Sequence, residues 1–321
     1  MKLPLMHMFF FLAISLASLT GCPVAPDDDA RSITVDARYH FPYDLRTPDE
    51  TFKLPYILEE ISGLAMTEDE QYLVAVQDED GLVFFIERQT GEVARQFEFW
   101  KKGDYEGVEV IGDTIYVVRS NGTLYEIVRG GEPDQAVERY KLALTGKNDV
   151  EGLTYDRANR RLLLACKGEP GLEEGAYPGM KAVYGFCLET KTLQEEPVFL
   201  ISMDSILQYL EMDPEIRKLD KLLEFFDEEN EKEFSPSAIE IHPITDNIFI
   251  TSSVGKMLIV LDAEGRLLHI EKLSKKVHPQ PEGLSFDREG NMYISNEGRG
   301  KKGTIHRFAY RADDNRHGGE R

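Results

Sequence analysis

The sequence predicts an all-β fold: a single propeller of five four-stranded blades, the last completed by an N-terminal strand, with one helical insertion. Three observations lead there. A short phrase recurs at nearly constant spacing, the same strand and turn content follows each copy, and one interval is doubled and filled with helix-like sequence.

The recurring phrase is a small residue before a β-branched run. Aligning Gly63 in "EISGLAM", Gly107 in "YEGVEV", Gly152 in "VEGLTYD", Ala238 in "SPSAIEI" and Gly283 in "PEGLSFD" gives steps of 44, 45, 86 and 45 residues. Each start leads into β-branched and aromatic runs separated by Gly-bearing turns, such as "DTIYVVRSNGTLYEIVRGG" after the second and "DNIFITSSVGKMLIVLDAEGRLLHI" after the fourth. Such a unit is a four-stranded meander. A sheet that small covers its apolar faces only by packing on its neighbours, which is the logic of propeller blades.

The doubled interval could hold a degenerate sixth blade, but "DSILQYLEMDPEIRKLDKLLEFFDEEN" does not alternate like strands. Asp213 and Pro214 form a helix-start signal. Ile216, Leu219, Leu222, Leu223 and Phe226 then recur at three and four, marking one apolar helical face. The expectation is a helical insertion over 200–234, lying over one end of a five-bladed ring. The last copy stops after "GTIHRFAY", so its outer strand is expected from "SITVDARYHF", residues 32–41, which would remove an open edge. The propeller domain then spans 33–310, and the polar tail 311–321 is expected to be disordered.

The N-terminus indicates location. Lys2 and the apolar run after it have the form of a signal peptide over 1–21. "LTGC", ending at Cys22, resembles the bacterial lipobox, in which the cysteine is lipidated. A tether over 22–32 would follow, rich in Pro and Asp. A lipid-anchored, monomeric protein outside the cytoplasm is expected, on the inner or outer membrane.

The chain carries a net charge of −21, and Lys2 is the only charged residue of 1–21. So acidic a surface repels phosphates and argues against nucleic-acid binding. With Cys22 given to lipid, Cys166 and Cys187 remain. If "RLLLACK" and "AVYGFCL" form a hairpin, Cys187 falls opposite a residue near Leu162, ~13 Å along the strand from Cys166. Two buried thiols are expected.

The innermost strand of each blade lines the axial channel, where backbones converge and glycine allows close approach. The preceding position then lies at the channel mouth, and around the ring it reads Ser62, Glu106, Glu151, Ser237, Glu282. Crowded carboxylates must take up protons, find cations or bind a metal. Glu109 and Glu240 follow three residues on. The second strands end near the same rim with Gln77, Asp78, Arg119, Lys167, Ser252, Asn296 and Glu297. This oxygen-only set suits calcium better than magnesium, with Glu106, Glu151, Glu282 and Glu240 as ligands. Pairing with Arg119 and Lys167 in a structural ion network is the competing expectation. "DEDG" at 78–81 lacks the spaced acids of a calcium loop. There is no nucleophile elbow, phosphate loop or zinc pattern.

The order "ISGLA", "YEGVEVIGD" with "IYVVRS", "VEGLTYD" with "LLLACKGEP", helices, "SAIEIHP" and "PEGLSFDREGNMYISNE" with "IHRF" resembles the SdiA-regulated (YjiK-like) proteins over about 56–310. The resemblance implies one β-propeller domain in the bacterial envelope and matches Glu106, Glu151, Glu240, Glu282, Lys167 and Asn296; it implies no reaction. Two function classes follow. One is a binding module whose channel holds calcium and whose rim takes a small molecule, peptide or glycan. The other is a metal-dependent hydrolase of lactones, esters or phosphoesters.

Overall fold

The computed structural model describes residues 39–214, 216–226 and 233–312. The segments expected to be a signal peptide and a tether, the expected lipid site at Cys22, and the tail from 313 onward lie outside the described residues. No helix among the described residues is long and apolar enough to cross a membrane.

Strand β1, Glu50–Lys53, precedes the first full blade. Blade I is β2 to β5: Ile61–Met66, Tyr72–Gln77, Leu82–Glu87 and Val93–Glu98. Blade II is β6 to β9: Tyr105–Ile111, Thr114–Arg119, Thr123–Val128 and Ala136–Lys141. Blade III comprises β10 to β14: Val150–Asp156, Arg161–Cys166, Met180–Cys187, Thr192–Leu193 and Phe199–Ser202. Its last two strands pair with opposite ends of β12. Blade IV is β15 to β18: Pro236–Ile241, Ile248–Ser252, Met257–Leu261 and Leu267–Lys272. Blade V is β19 to β21, Pro281–Phe286, Met292–Asn296 and Thr304–Phe308, completed by β1. The first strands of the five blades touch in ring order, β2, β6, β10, β15, β19 and back to β2.

An N-terminal strand does complete the last blade, in register Glu50↔Arg307 to Lys53↔Thr304, but it is residues 50–53 and not the segment 32–41. The aromatics that gave the earlier segment its strand-like look are occupied otherwise. Tyr39, Phe41, Tyr43 and Leu45 fill an apolar cluster with Phe249 and Val260 of blade IV and Phe286 and Phe308 of blade V. The Tyr43 hydroxyl donates to the Gly290 carbonyl at 2.5 Å.

The insertion holds two helices, α1 (Met203–Met212) and α2 (Leu219–Phe225). Ser202 Oγ caps α1 by accepting from Ser205 N at 3.3 Å, the usual remedy for free N–H groups at a helix start. Asp213 and Pro214 follow the end of α1, so the start signal marks a break between helices and not the beginning of one. The expected apolar face is used: Ile216, Leu222 and Phe226 are buried, with Leu219 and Leu223 partly so. It packs on the flank of blades III and IV, with α2 reaching the mouth-side turn at Val254–Lys256.

Cys187 lies opposite Arg161, one residue from the expected partner, and is not bridged to Cys166. Cys166 is a buried thiol, whereas Cys187, also buried, is disulfide-bonded. The expectation of two thiols therefore holds for Cys166 alone.

Candidate functional site at the channel mouth

One local irregularity, repeated five times, builds the site. The pairing of each innermost strand with its neighbour slips at the same place: between Ile61 and Leu64, Tyr105 and Gly107, Val150 and Gly152, Pro236 and Ala238, and Pro281 and Gly283. A β-bulge leaves an extra residue outside the ladder and re-aims its side chain. The extra residues include Glu106, Glu151, Ser237 and Glu282, with Ser62 and Gly63 both skipped in blade I. Glycine follows because the next blade is close. A Cβ on Gly107 would stand 2.7 Å from Leu153 Cβ, and one on Gly152 would stand 2.8 Å from Ile239 Cγ2.

Glu106, Glu151 and Glu282 accordingly line one axial cavity with the glycines beside them. The space open to the centres of water-sized spheres is about 10 Å³, near the minimum for a single water or ion. Burial is the main reason all three carboxyls hold their protons more tightly than usual. Glu106 rises to about 10, helped by Glu151, Asp104 and Glu282. Glu282 rises to about 8, with Glu151 as the next cause. Glu151 reaches about 7, because Lys167 opposes the effect of burial.

Their partners differ. Lys167 Nζ donates to Glu151 Oε1 at 2.7 Å and lies 3.7 Å from Asp149 Oδ2. Gln280 Nε2 donates to Glu282 Oε1 at 2.5 Å. No ion pair among the described residues reaches Glu106, which shares a side-chain hydrogen bond with Asp104. The ion network expected from Arg119 and Lys167 is therefore half present. Arg119 forms no ion pair among the described residues; it stands 5.6 Å from the centre of the Tyr105 ring, its Nε buried without a partner.

The other rim residues separate into bonded and unbonded. Ser237 donates to the Pro281 carbonyl at 2.7 Å and Ser252 to the Val254 carbonyl at 2.6 Å. Ser62 is buried, its carbonyl taking a bond from Ser295 at 3.2 Å. Gln77 braces the following turn through Glu79 N and Asp80. These four hold blades and turns together. Asn296, in contrast, is fully buried with neither amide atom satisfied, and Asp78 Oδ1 is buried without a donor. Burial followed by Glu60, Glu297 and Asp104 pushes Asp78 to about 7, and burial also raises Glu297.

Glu240 does not join the ring. Its blade contributes Ser237 there, and Glu240, three residues on, lies with Glu109 in a pocket at the other end of the channel. Thr154 Oγ1 and Ile241 N donate to Glu240 Oε1 at 2.6 and 2.8 Å. Glu109 accepts from Val110 N and Tyr155 N at 2.7 and 2.8 Å. This corrects the expectation that Glu240 stands with the other three.

A tier of residues escaped the sequence reading. Two positions before each bulge stand Glu60, Asp104, Asp149, Ser235 and Gln280, and Asp104 and Asp149 bear directly on Glu106 and Glu151. The signal was available, since "DYEG" and "DVEG" pair an aspartate with each glutamate at the same offset. Among the described residues, no group of three or more His, Cys, Asp or Glu side chains is already arranged as a metal cage.

Solved structures share the architecture. The glutaminyl cyclase of Myxococcus xanthus is 10% identical with a TM-score of 0.52, covering 84% of this chain and 97% of that one. A luciferin-regenerating enzyme is 10% identical with a TM-score of 0.46, over 82% and 95% of the two chains. A streptogramin B lyase is 13% identical with a TM-score of 0.43, over 80% and 97%. At such identities the likeness concerns the fold alone. The family described as SdiA-regulated matches residues 44–172 and 192–299, a span that contains every glutamate of the channel mouth. With its five blades and bulge-borne glutamates, this chain belongs to the SdiA-regulated family.

Proposed function

We propose that the channel mouth is a cation-dependent binding site, with calcium held by Glu106, Glu151 and Glu282 and a small molecule, peptide or glycan bound at the rim above it. The observation that carries this reading is the convergence of three carboxylates from three blades on a space for one small occupant. Only one cation, Lys167, bonds to any of them among the described residues. Three crowded carboxylates, Glu151 buried and Glu106 and Glu282 half-buried, with so little compensation favour either protons or a cation. The donors are oxygen atoms, which suits a hard ion. The unmet Oδ1 atoms of Asp78 and Asn296 add acceptors nearby. Calcium would neutralise the mouth and offer open coordination positions to a ligand's oxygens. Glu240 is left out of this set, because its carboxylate is already bonded at the far end.

The binding role is preferred to metal-dependent hydrolysis because hydrolysis also needs a carboxylate left free as a base for water, whereas Glu106, Glu151 and Glu282 are all used here as ligands and Glu106 is further engaged with Asp104. The chain is further proposed to act as an envelope lipoprotein anchored through Cys22, on the strength of the lipobox-like "LTGC".

Melting with calcium and with chelator tests the reading. A calcium concentration about one hundred times Kd should add about 2.7 kcal/mol of stability. The gain should vanish in Glu106→Gln and Glu282→Gln. No response in the unmodified protein removes the calcium reading, and turnover in a panel of lactones and phosphoesters would favour the hydrolase instead.

A further inference from the structure

Beside the acidic mouth lies a pocket of opposite character. Lys218, Lys221, Lys256, Lys272, Lys275 and Arg299 line a cavity of about 440 Å³ with no carboxylate in its wall among the described residues. That size is typical of sites for small organic molecules. The setting is unusual in a chain where 58 acidic residues outnumber 37 basic ones. None of the six forms an ion pair among the described residues. Glu297 and Glu282 act on Arg299 and Lys256 without pairing with them, so the gathered like charges still repel, and the repulsion falls when an anion enters.

Three parts of the fold meet to make the pocket. The insertion supplies Lys218, Lys221 and Phe225. Blade IV supplies the turn Val254–Lys256 and the strand end Lys272–Lys275, and blade V supplies Arg299. Lys256 and Lys272 are half-buried at its base, while the other cations are exposed around it. Both base lysines are held by backbone, Lys272 by the Gly255 carbonyl and Lys256 by that of Ser253. Burial first, then Lys218, Lys256 and Lys221, lowers Lys272 to about 8, a strain that a bound anion would relieve. Phe225, Val254 and Leu273 give the wall apolar surface as well. A bare ion would leave that surface and most of the volume unused.

The geometry points to a binding site for a small organic anion, carrying phosphate or carboxylate groups on an apolar body, between the helical insertion and blades IV and V. The site stands apart from the axial glutamates but touches their rim. Lys256 Nζ reaches Gln280 Oε1 at 3.2 Å, and Gln280 in turn bonds Glu282.

The test is calorimetric titration of the full chain at constant ionic strength, stripped of metal with a chelator that is then dialysed away, so that the calcium reading plays no part. Phenyl phosphate and phthalate are the probes, and inorganic phosphate is the reference. Saturable binding of either probe with Kd below about 1 mM, tighter than phosphate, is expected. Phenyl phosphate ahead would identify a phosphate ligand, and phthalate ahead a carboxylate. Lys218→Glu with Lys221→Glu, at exposed positions that leave the core untouched, should weaken binding at least about tenfold. Lys272→Met should do the same from the base. The proposal is overturned if neither probe saturates by roughly 10 mM, or if the double variant binds as well as the parent. It is also overturned if binding emerges only after the acidic stretch 227–231 is neutralised, because the pocket would then serve the chain's own acids.

Discussion

The two ends of the channel carry the same kind of group and treat it differently. At the far end, Glu109 and Glu240 each accept two hydrogen bonds, from Val110 N and Tyr155 N and from Thr154 Oγ1 and Ile241 N. Those donors come from blades II, III and IV, so the pair clasps blades together. At the mouth, Glu151 has Lys167, Glu282 has Gln280, and Glu106 has only an acidic neighbour in Asp104. Burial raises the proton affinity at both ends. What differs is the supply of donors, and a carboxylate with few donors is free to take a cation. Charge alone does not mark a site; unmet charge does.

The largest effect that could break this contrast is at the far end. Glu240→Ala strips the acceptor from the Thr154 hydroxyl and Ile241 N–H in a half-buried position, and should cost about 2 kcal/mol in urea unfolding. A near-neutral result would mean that the clasp is incidental. At the mouth the sign reverses: Glu106→Gln removes a carboxyl that nothing compensates, and should stabilise the chelated protein by about 1 kcal/mol.

The dependence on pH sharpens the same comparison. A carboxyl whose pKa is higher folded than unfolded binds more protons when folded. Its contribution is therefore present at low pH and lost as pH rises through the folded value. With Glu151 at about 7, Glu282 at about 8 and Glu106 at about 10, the chelated protein should lose melting temperature steadily between about pH 5 and 9. Glu109, at about 7, adds to that loss from the far end. Calcium should flatten the part due to the mouth, and Glu282→Gln should remove its share with or without calcium. A melting temperature that is flat across this range without calcium would contradict the crowding of the mouth.

The smallest effect is expected at Asn296. Its amide atoms have no partner to lose, so Asn296→Leu should change chelated stability by less than about 1 kcal/mol. The calcium midpoint should move to higher concentration if the Oδ1 atom serves the cation.

Much of this arrangement was legible because propeller geometry repeats in sequence. The glycine at four of the five innermost strands betrays the approach of the next blade, and the glutamate that precedes it in three of them lies at the axis for the same reason. Depth along the channel was not legible: Glu240 sits three positions beyond Ser237, and only the register shows that three residues carry it to the opposite end. The closing strand was misplaced because the β-branched and aromatic residues of 32–41 look strand-like, whereas the segment that pairs, Glu50–Lys53, carries only one apolar residue, Phe52. The break at Asp213 and Pro214 was invisible because the same two residues can begin a helix or separate two. Asp104 and Asp149 were only weakly legible because aspartate stands at that offset in only two of the five blades, the others carrying Glu60, Ser235 and Gln280.

Calorimetric titration of calcium into the chelator-stripped protein near neutral pH tests the central claim most directly. One site per chain is predicted, retained in Glu109→Gln and abolished when Glu106→Gln and Glu282→Gln are combined. Absence of binding, or binding that persists unchanged in the combined variant, would contradict it.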